Sequence, residues 1–367
     1  MKFTCERDVL AKEIGFAQEV ITSRSNVSIL SNVFLHAENK TLTIRATDLK
    51  VSFETQIPVE VSASGSTTVL CDKLLGILKS LPSGEIEFDQ SEGSDFVIRP
   101  LFKKIDFRLR SIESDKYPEI QLASEDQYFE VSQAAFIEMI SQTIFAVSDD
   151  ETRYFMNGVY MEQSDDELVM VATDGRRLSY IHKTPDAPLK EFEGVIIPPK
   201  VLHMTRKLAS GEGTFFLAVD EKNVFFQFDN RKISSALIEG QFPNYRRVIP
   251  DEQEHRLTIN RDELIEALRR VSLLVEKSRR VYVTLSDGSM TLTSEETEVG
   301  VAHEELACDY EGPENRIALN YVYLMDPLRV MNTEEVAIQF SEPNRAISIN
   351  AVPEREFFHI VMPMQLD

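Results

Sequence analysis

The segment KFTCERDVLAKEIGFAQEV (residues 2–20) decides the fold because it comes back twice, as YFEVSQAAFIEMISQTIFAV (128–147) and as RLTINRDELIEALRRVSLLV (256–275). Each copy reads as a short alternating strand, a polar junction and an amphipathic helix. A spacing of roughly 120 residues lies far above the 20–50 residues of stacked solenoid modules, so whole domains are repeated.

Each repeat divides again. After a helix near 7–20, VFLHAENKTLTIRATDLKVSFETQIPV (33–59) alternates apolar and polar residues around a Glu-Asn-Lys turn and reads as a strand meander. A second helix at DKLLGILKSL (72–81), stopped by Pro82, leads to strands at 85–99 and 105–111. In the second repeat we expect helices over 132–145 and 199–209, with strands inside 158–183 and at 214–219, 223–229 and 231–238. In the third we expect helices over 261–274 and 320–330, with strands at 281–285, 290–294, 300–307, 335–341, 345–350 and 356–361. Strand, helix and three strands thus recur six times, and Ala46-Thr47-Asp48 returns in register as Ala172-Thr173-Asp174. The expected class is α+β, three repeated domains at 1–122, 128–248 and 253–367, each with two helices backed by antiparallel sheets. Polar linkers fall near 119–127 and 248–255.

With 367 residues the chain exceeds what one core ordinarily serves. Trp is absent, so 22 Phe must supply most of the aromatic packing. The first residues lack the basic, apolar and small-residue regions of a secretory leader, and no stretch approaches 18 consecutive apolar residues. Cys5, Cys71 and Cys308 are isolated and odd in number, which fits buried thiols in a reducing cytoplasm better than disulfides or a metal cluster.

The net charge of −22 argues against a tight basic groove around nucleic acid, unless the cations are segregated. They are enriched on helices: Arg7, Lys12, Lys73, Lys79, Arg206, Lys207, Arg261, Arg269, Arg270 and Arg329. Acidic runs occupy 85–92, 149–151, 165–167 and 251–254. Two readings stay open, ordinary solvated helix faces or a basic lining within an acidic shell. The helix at 132–145, with Glu138 and no Lys or Arg, favours the first.

Catalytic sets are not apparent. His36, His182, His203, His255, His303 and His359 show no metal-ligand spacing, and Gly84, Gly158, Gly175 and Gly211 are isolated. Asp48 and Asp174 invite a paired-carboxylate reading, but their repeated position points to duplicated turns. No base can be read beside Cys5 or Cys71. No enzyme activity, cofactor or metal is expected.

MKFTCERDVL (1–10), RYFMNG (153–158), VATDGRRL (171–178), FPNYRRVIP (242–250) and VMPM (361–364) resemble, in order and spacing, the bacterial sliding-clamp family, the β subunits of DNA polymerase III. The resemblance spans the whole chain. It implies a ring-forming head-to-tail homodimer of DNA-clamp domains that encircles double-stranded DNA without sequence specificity. Such a processivity factor is non-catalytic and works in the cytoplasm, at the nucleoid and replication fork. The implied partners are the replicative polymerase α subunit, the clamp-loader δ subunit, and repair or translesion polymerases bound through short linear motifs. Helix geometry agrees with a dimer. Six helices, each about 10 Å across, circle a hole of roughly 9 Å, whereas twelve leave about 28 Å, enough for a duplex. The competing reading is a peptide-binding scaffold that does not encircle DNA.

The resemblance also implies sites. A peptide pocket would comprise Met156, Thr173, Gly175, Arg176, Arg177, Leu178, Pro243, Arg247, Val248, Met362, Pro363, Met364 and Leu366. Arg177 and Arg247 would supply its polar anchors, and flexible thioethers would suit varied peptides. Without the resemblance, Met362-Pro363-Met364 reads as a buried terminal strand. Gln365 stands where many relatives carry Arg. Arg24, Lys73, Arg153, Tyr154 and Lys200 would face DNA, with Phe155 where relatives can have a second tyrosine. Phe107 and Leu109 would meet Leu273 and Leu274 of a second copy, with Lys73, Lys103, Arg108 and Arg110 opposite Glu298, Glu304 or Glu305. Leu273 and Leu274 also fit a core role in their own domain.

Overall fold

A computed structural model describes residues 1–21, 28–90 and 95–366. The first half-unit is β1 (Lys2–Glu6), α1 (Arg7–Val20), β2 (Asn32–Glu38), β3 (Thr41–Thr47) and β4 (Val51–Pro58), followed by a short β5 (Glu60–Ala63). The second is β6 (Gly65–Leu70), α2 (Cys71–Ser80), β7 (Glu85–Asp89), β8 (Asp95–Pro100) and β9 (Phe107–Ile112). The third is β10 (Phe129–Ser132), α3 (Gln133–Thr143), β11 (Val159–Ser164), β12 (Glu167–Thr173) and β13 (Arg177–Lys183). The fourth is β14 (Val195–Ile197), α4 (Pro199–Leu208), β15 (Thr214–Val219), β16 (Asn223–Phe228) and β17 (Arg231–Ala236). The fifth is β18 (His255–Asn260), α5 (Arg261–Val271), β19 (Arg280–Ser286), β20 (Ser289–Ser294) and β21 (His303–Ala307), with β22 (Asp309–Tyr310) after it. The sixth is β23 (Asn315–Asn320), α6 (Tyr321–Val330), β24 (Glu335–Phe340), β25 (Ile347–Val352) and β26 (Phe357–Val361).

The sixfold reading therefore holds, with β5 and β22 as additions. Two expected helices are shorter than their apolar periodicity, because 144–146 and 272–274 tighten into 3₁₀ turns. The strand expected over 300–307 begins at His303.

In most half-units the leading strand runs straight into its helix. Asn260 and Asn320 cap α5 and α6, their side-chain oxygens accepting the N–H groups of Glu263 and Val322. On α1, Leu10, Ile14 and Ala17 form the buried stripe that seats the helix on β3 and β4.

The chain forms two compact units. Met1–Gln133 with Lys200–Leu237 make the first, whose 13 strands run β10-β15-β16-β17-β4-β3-β2-β6-β9-β8-β7-β1-β5. Ala134–Pro199 with Ile238–Asp367 make the second, with a nine-stranded sheet β14-β11-β12-β13-β26-β25-β24-β18-β22 and a four-stranded sheet β21-β20-β19-β23. Sister half-units exchange their leading strands. β1 pairs with β7 and β6 with β2. β10 joins β15, β14 joins β11, β18 joins β24 and β23 joins β19. Neither half of a repeat completes its sheet without the other.

A second rule joins repeats edge to edge. In the first unit β17 pairs with β4 over Ser235↔Val51 to Arg231↔Thr55. In the second, β26 pairs with β13 over Val361↔Arg177 to Phe357↔Ile181. Stepping from 51 to 177 and from 235 to 361 covers 126 residues on both strands, so the second seam repeats the first in register.

Behind the first seam lies an ion pair. Arg231 on β17 donates to Glu13 on α1 through Nη2 (2.5 Å) and Nε (3.2 Å), and its guanidinium lies 5.3 Å from the Phe16 ring centre. Both side chains are buried. Arg231→Ala strands a buried carboxylate, and we expect it to cost about 3–5 kcal/mol. The pair Glu13→Leu with Arg231→Met should cost less than that single change, as read by a urea-unfolding double-mutant cycle.

Candidate functional site

The repeated Ala-Thr-Asp builds the same turn twice. Thr47 Oγ1 accepts the Leu49 N–H (3.0 Å) and donates to Val51 O (3.1 Å), while Asp48 Oδ1 accepts from the N–H groups of Lys50 and Val51. Thr173 Oγ1 accepts the Gly175 N–H (3.1 Å) and donates to Arg177 O (2.6 Å), while Asp174 Oδ1 accepts from Arg176 and Arg177. Both carboxylates are occupied by backbone, which is turn chemistry. Each leaves Oδ2 for one cation, and there the copies diverge. Asp48 holds Lys200 of α4 at 2.6 Å; burial raises the Asp48 pKa, but that bond and the backbone donors outweigh it and hold the carboxyl below its ordinary value. Asp174 holds Arg177 at 3.1 Å.

Arg177 is occupied in every direction. It donates to Asp174, to Asp326 Oδ2 (2.7 Å) and to Phe145 O (2.6 Å), and its guanidinium stacks 4.6 Å from the Tyr323 ring centre. Arg176 and Arg247 are exposed and have no ion-pair partner among the described residues. Arg177 instead braces the seam.

That seam brings several residues of the expected pocket together. Because β26 pairs with β13, Leu178 lies opposite Ile360, and Arg176 O accepts the Met362 N–H at 2.8 Å. Met364 bonds Ala318 O at 2.8 Å, which holds the tail along β23. Met362-Pro363-Met364 thus leave the buried strand: Met362 is 42% exposed, and Leu366 is exposed beyond it. Segment 242–250 packs on the same sheet face. Phe242 and Tyr245 join Leu178, Val171 and Ile360 in one cluster, with Phe242 stacked 4.8 Å from Tyr160. Glu162 fastens the segment by accepting from Tyr245 Oη (2.6 Å), Arg246 Nη2 (2.6 Å) and Tyr160 Oη (3.1 Å). Burial, reinforced by Glu162, raises the Tyr160 phenol to about 12 and the Tyr245 phenol still further. Pro243 is half-buried and Val248 exposed; Met156 is buried in its 3₁₀ turn, Glu151–Met156. Gly175 has φ +84°, so the turn requires glycine; a Cβ there would also lie 2.8 Å from Arg153 Nη1, the far end of a side chain that can shift aside.

Reading the sequence missed Glu162, Tyr160, Asp326, Tyr323 and Phe145, whose roles exist only across strand and helix pairings. Of the residues expected to face DNA, Arg24 lies outside the described residues. Lys73 is exposed on α2, 3.4 Å from Asp72. Lys200 is bound to Asp48 and Val20 O, and Arg153 sits at the pocket turn, paired with Asp150 at 2.9 Å. Tyr154 is exposed beside Gly240, its ring edge-on to Phe155. Together the six helices carry eleven Lys and Arg against nine Asp and Glu.

Two partly open strand edges carry some of the residues expected at the dimer contact. β9 pairs with β8 and touches β6 only at Ser111 and Ile112, so Phe107–Arg110 have no partner on the other side among the described residues. Among the described residues β21 pairs only with β20. Leu273 is 80% exposed, which excludes the core role, and Leu274 is half-buried. Phe102, Leu101, Val299 and Val301, which the sequence reading did not single out, are exposed near these edges. Glu304 is held by Arg270 of its own chain (2.5 Å), and Arg108 lies 3.2 Å from Asp106. Of the expected acidic partners, Glu298 and Glu305 have no ion pair among the described residues.

Burial raises the Cys5 and Cys71 thiols to about 12, so neither is a thiolate at neutral pH. Among the described residues no helix is long and apolar enough to cross a membrane.

Comparison with known proteins agrees with this geometry. Sequence profiles of the DNA polymerase III beta subunit match its N-terminal domain over 1–121, its central domain over 130–244 and its C-terminal domain over 246–365. The beta sliding clamp of Treponema pallidum is 46% identical over the full length of both chains, and that of Pseudomonas aeruginosa 29%. Among solved structures, the Pseudomonas aeruginosa clamp bound to griselimycin superposes with a TM-score of 0.95 at 28% identity, covering both chains fully. The Bacillus subtilis clamp gives 0.95 at 26%, also over both full chains.

One buried base gives the second seam a pH signature. His359 on β26 is fully enclosed; a neutral ring protonated at Nε2 donates to Gln142 Oε1 (3.2 Å) and accepts at Nδ1 from Ser179 Oγ (3.0 Å). Burial, with the charge of Arg177, lowers its pKa from 6.5 to about 3. Below pH 6.5 the unfolded chain binds a proton that the folded chain refuses, so stability falls as pH drops toward 3. We expect a loss of about 2 kcal/mol from this group between pH 7 and pH 5. Urea unfolding of wild type and His359→Gln at both pH values checks this: the variant should start less stable and show the smaller decline.

Proposed function

The chain belongs to the DNA polymerase III beta subunit family, the sliding clamps, and from that membership we propose that two copies close head to tail into a ring that encircles duplex DNA. It is a non-catalytic processivity factor. The observation that carries the ring is the seam rule. The seams join half-unit one to four and three to six, leaving two and five. Adding the same step of 126 to 177–181 reaches 303–307, which is β21, and subtracting it from 231–235 reaches 105–109, which holds Phe107 and Leu109. A second copy supplies β21 to β9, and the reciprocal pairing closes the ring through two identical contacts. Phe107, Leu109, Leu273 and Leu274 form the apolar centre, with Arg110 and Lys103 toward Glu298 and Glu305.

The three repeats, taken as 1–122, 128–248 and 253–367, then form a six-domain ring whose twelve helices line the hole. Lys73, Arg153, Tyr154, Lys200 and Arg24 supply its weak contacts to DNA, and sequence is not read. Peptides of the replicative polymerase, the clamp loader and repair or translesion polymerases dock over Leu178, Pro243, Val248, Met362 and Met364, with Arg176 and Arg247 as polar anchors. We place the ring in the cytoplasm, at the nucleoid and the replication fork.

The test is topological. Once loaded on nicked circular DNA, the protein should stay bound in high salt and be released when the circle is cut; retention on neither form overturns encirclement. Leu273→Glu combined with Phe107→Glu should give monomers by sedimentation and lose retention. Separately, removal of residues 364–367 should weaken peptide binding at least tenfold by fluorescence anisotropy, since it takes Met364 and Leu366, while dimerisation is preserved. Unchanged peptide affinity overturns the pocket.

A further inference from the structure

The floor of the peptide pocket does not end where its apolar residues end. One cross-strand row runs from Thr173 through Leu178, Ile360 and Ser348 to Gln339 and Arg256, each opposite the next in register. Thr173, Leu178 and Ile360 underlie the pocket. Beyond Ile360 the row turns polar, and there a cavity of about 220 Å³ opens, floored by Ser348, Gln339 and Asn350 and walled by Ile249 and Asp251. Ile249 and Ile360 belong to both the cavity wall and the apolar cluster of the pocket, so the two spaces adjoin. With one water occupying about 30 Å³ of liquid, the cavity has room for a long side chain.

Its chemistry is specific. Gln253 fixes the floor, donating to Gln339 O (2.9 Å) and Ala346 O (3.0 Å) and accepting from Ser348 Oγ. Asn350 Nδ2 donates to Gln339 Oε1 at 3.0 Å, which leaves Asn350 Oδ1 open as an acceptor. The Asp251 carboxylate has no ion-pair partner among the described residues, nor do its exposed neighbours Glu252 and Glu254. Arg256, opposite Gln339 at the far end of the row, offsets at most one of these three charges. The groove is therefore polarised, with Arg176 and Arg247 over the apolar pocket and carboxylates over its extension.

We propose that this extension is a subsite for a Lys or Arg side chain flanking the apolar anchor of a bound peptide. The cation reaches Asp251 and donates to Asn350 Oδ1, while the apolar anchor stays on Leu178 and Ile360. This rests on the pocket reading above and names the class of partner that pocket prefers: peptides with a basic residue at one end of the apolar anchor.

The test uses the full-length protein and fluorescein-labelled nonapeptides built on a Leu-Leu pair, with Arg, Ala or Glu scanned through the flanking positions on either side. Anisotropy should show one flanking position at which Arg binds about five- to tenfold more tightly than Ala, and Glu more weakly. That gain should shrink in high salt. Asp251→Asn and Asn350→Leu should remove most of it while leaving the Ala-flanked peptide's affinity unchanged. A gain that persists in both variants, or no gain at any position, overturns the subsite and leaves the pocket standing. Failure of every peptide to bind wild-type protein overturns the pocket and the subsite together.

Discussion

The obligation of a strand edge to be hydrogen-bonded governs this molecule. A β-strand without a neighbour presents a row of unmet N–H and C=O groups, and natural sheets pair, cover or charge such rows. Here the obligation is met at three levels. Within a half-unit, meander strands pair in sequence. Between sister half-units, leading strands are exchanged, so neither half of a repeat completes its sheet alone. Between repeats, β17 closes on β4 and β26 on β13, and the seam register is the same both times. Among the edges left open in the described residues are part of β9 and one side of β21. These carry basic and acidic side chains respectively, so each is guarded against its own kind and matched to the other.

The second seam does more than join. The two Thr-Asp turns are copies, yet one spends its free carboxylate oxygen on Lys200 and the other on Arg177. Lys200 links a turn to a helix within the first unit. Arg177 reaches Asp326 and Tyr323 on α6 and Phe145 beside α3, so it locks the strand turn to two helical segments. With that turn braced, Leu178 and Gly175 are held while the C-terminal tail and segment 242–250 are laid across them. In the pocket proposed above, a braced floor with a pliable methionine rim would let varied apolar side chains bind without a large ordering cost.

Much of this was legible in the residues. Alternation and helical stripes located all six helices, because each combines an apolar face with a strand directly before it. Duplicated Asp48 and Asp174 read as turns, and the structure gives them that chemistry. What could not be read lies in contacts between distant segments. Nothing around Glu162 marks it as the anchor of Tyr245 and Arg246, because that role arises only when segment 242–250 folds back on β11. The bracing role of Arg177 could not be read because Asp326 is 149 residues away. Leu273 was ambiguous because it stands in an apolar run, yet at 100° per residue it falls opposite the buried stripe of Leu264, Leu268 and Val271, and it is 80% exposed.

Charge distribution sets how such a ring treats DNA. The helices are nearly balanced in sign, so the net charge of −22 resides outside them. Phosphate is repelled from most of the surface and tolerated at the helices. Several helical cations are also already engaged: Lys73 beside Asp72, Lys207 with Glu19, Arg270 with Glu304. A phosphate approaching one of these must compete with a carboxylate, so each contact is weaker than that of a free lysine. Fewer fully neutralised phosphates mean fewer released counterions and a shallow salt dependence. Retention then has to come from closure of the ring, which in the pairing proposed above depends on the edges of β9 and β21. The weak lining and the unpaired edges are two parts of one design, since a strongly basic hole would hold DNA without a ring and would also stop it from moving.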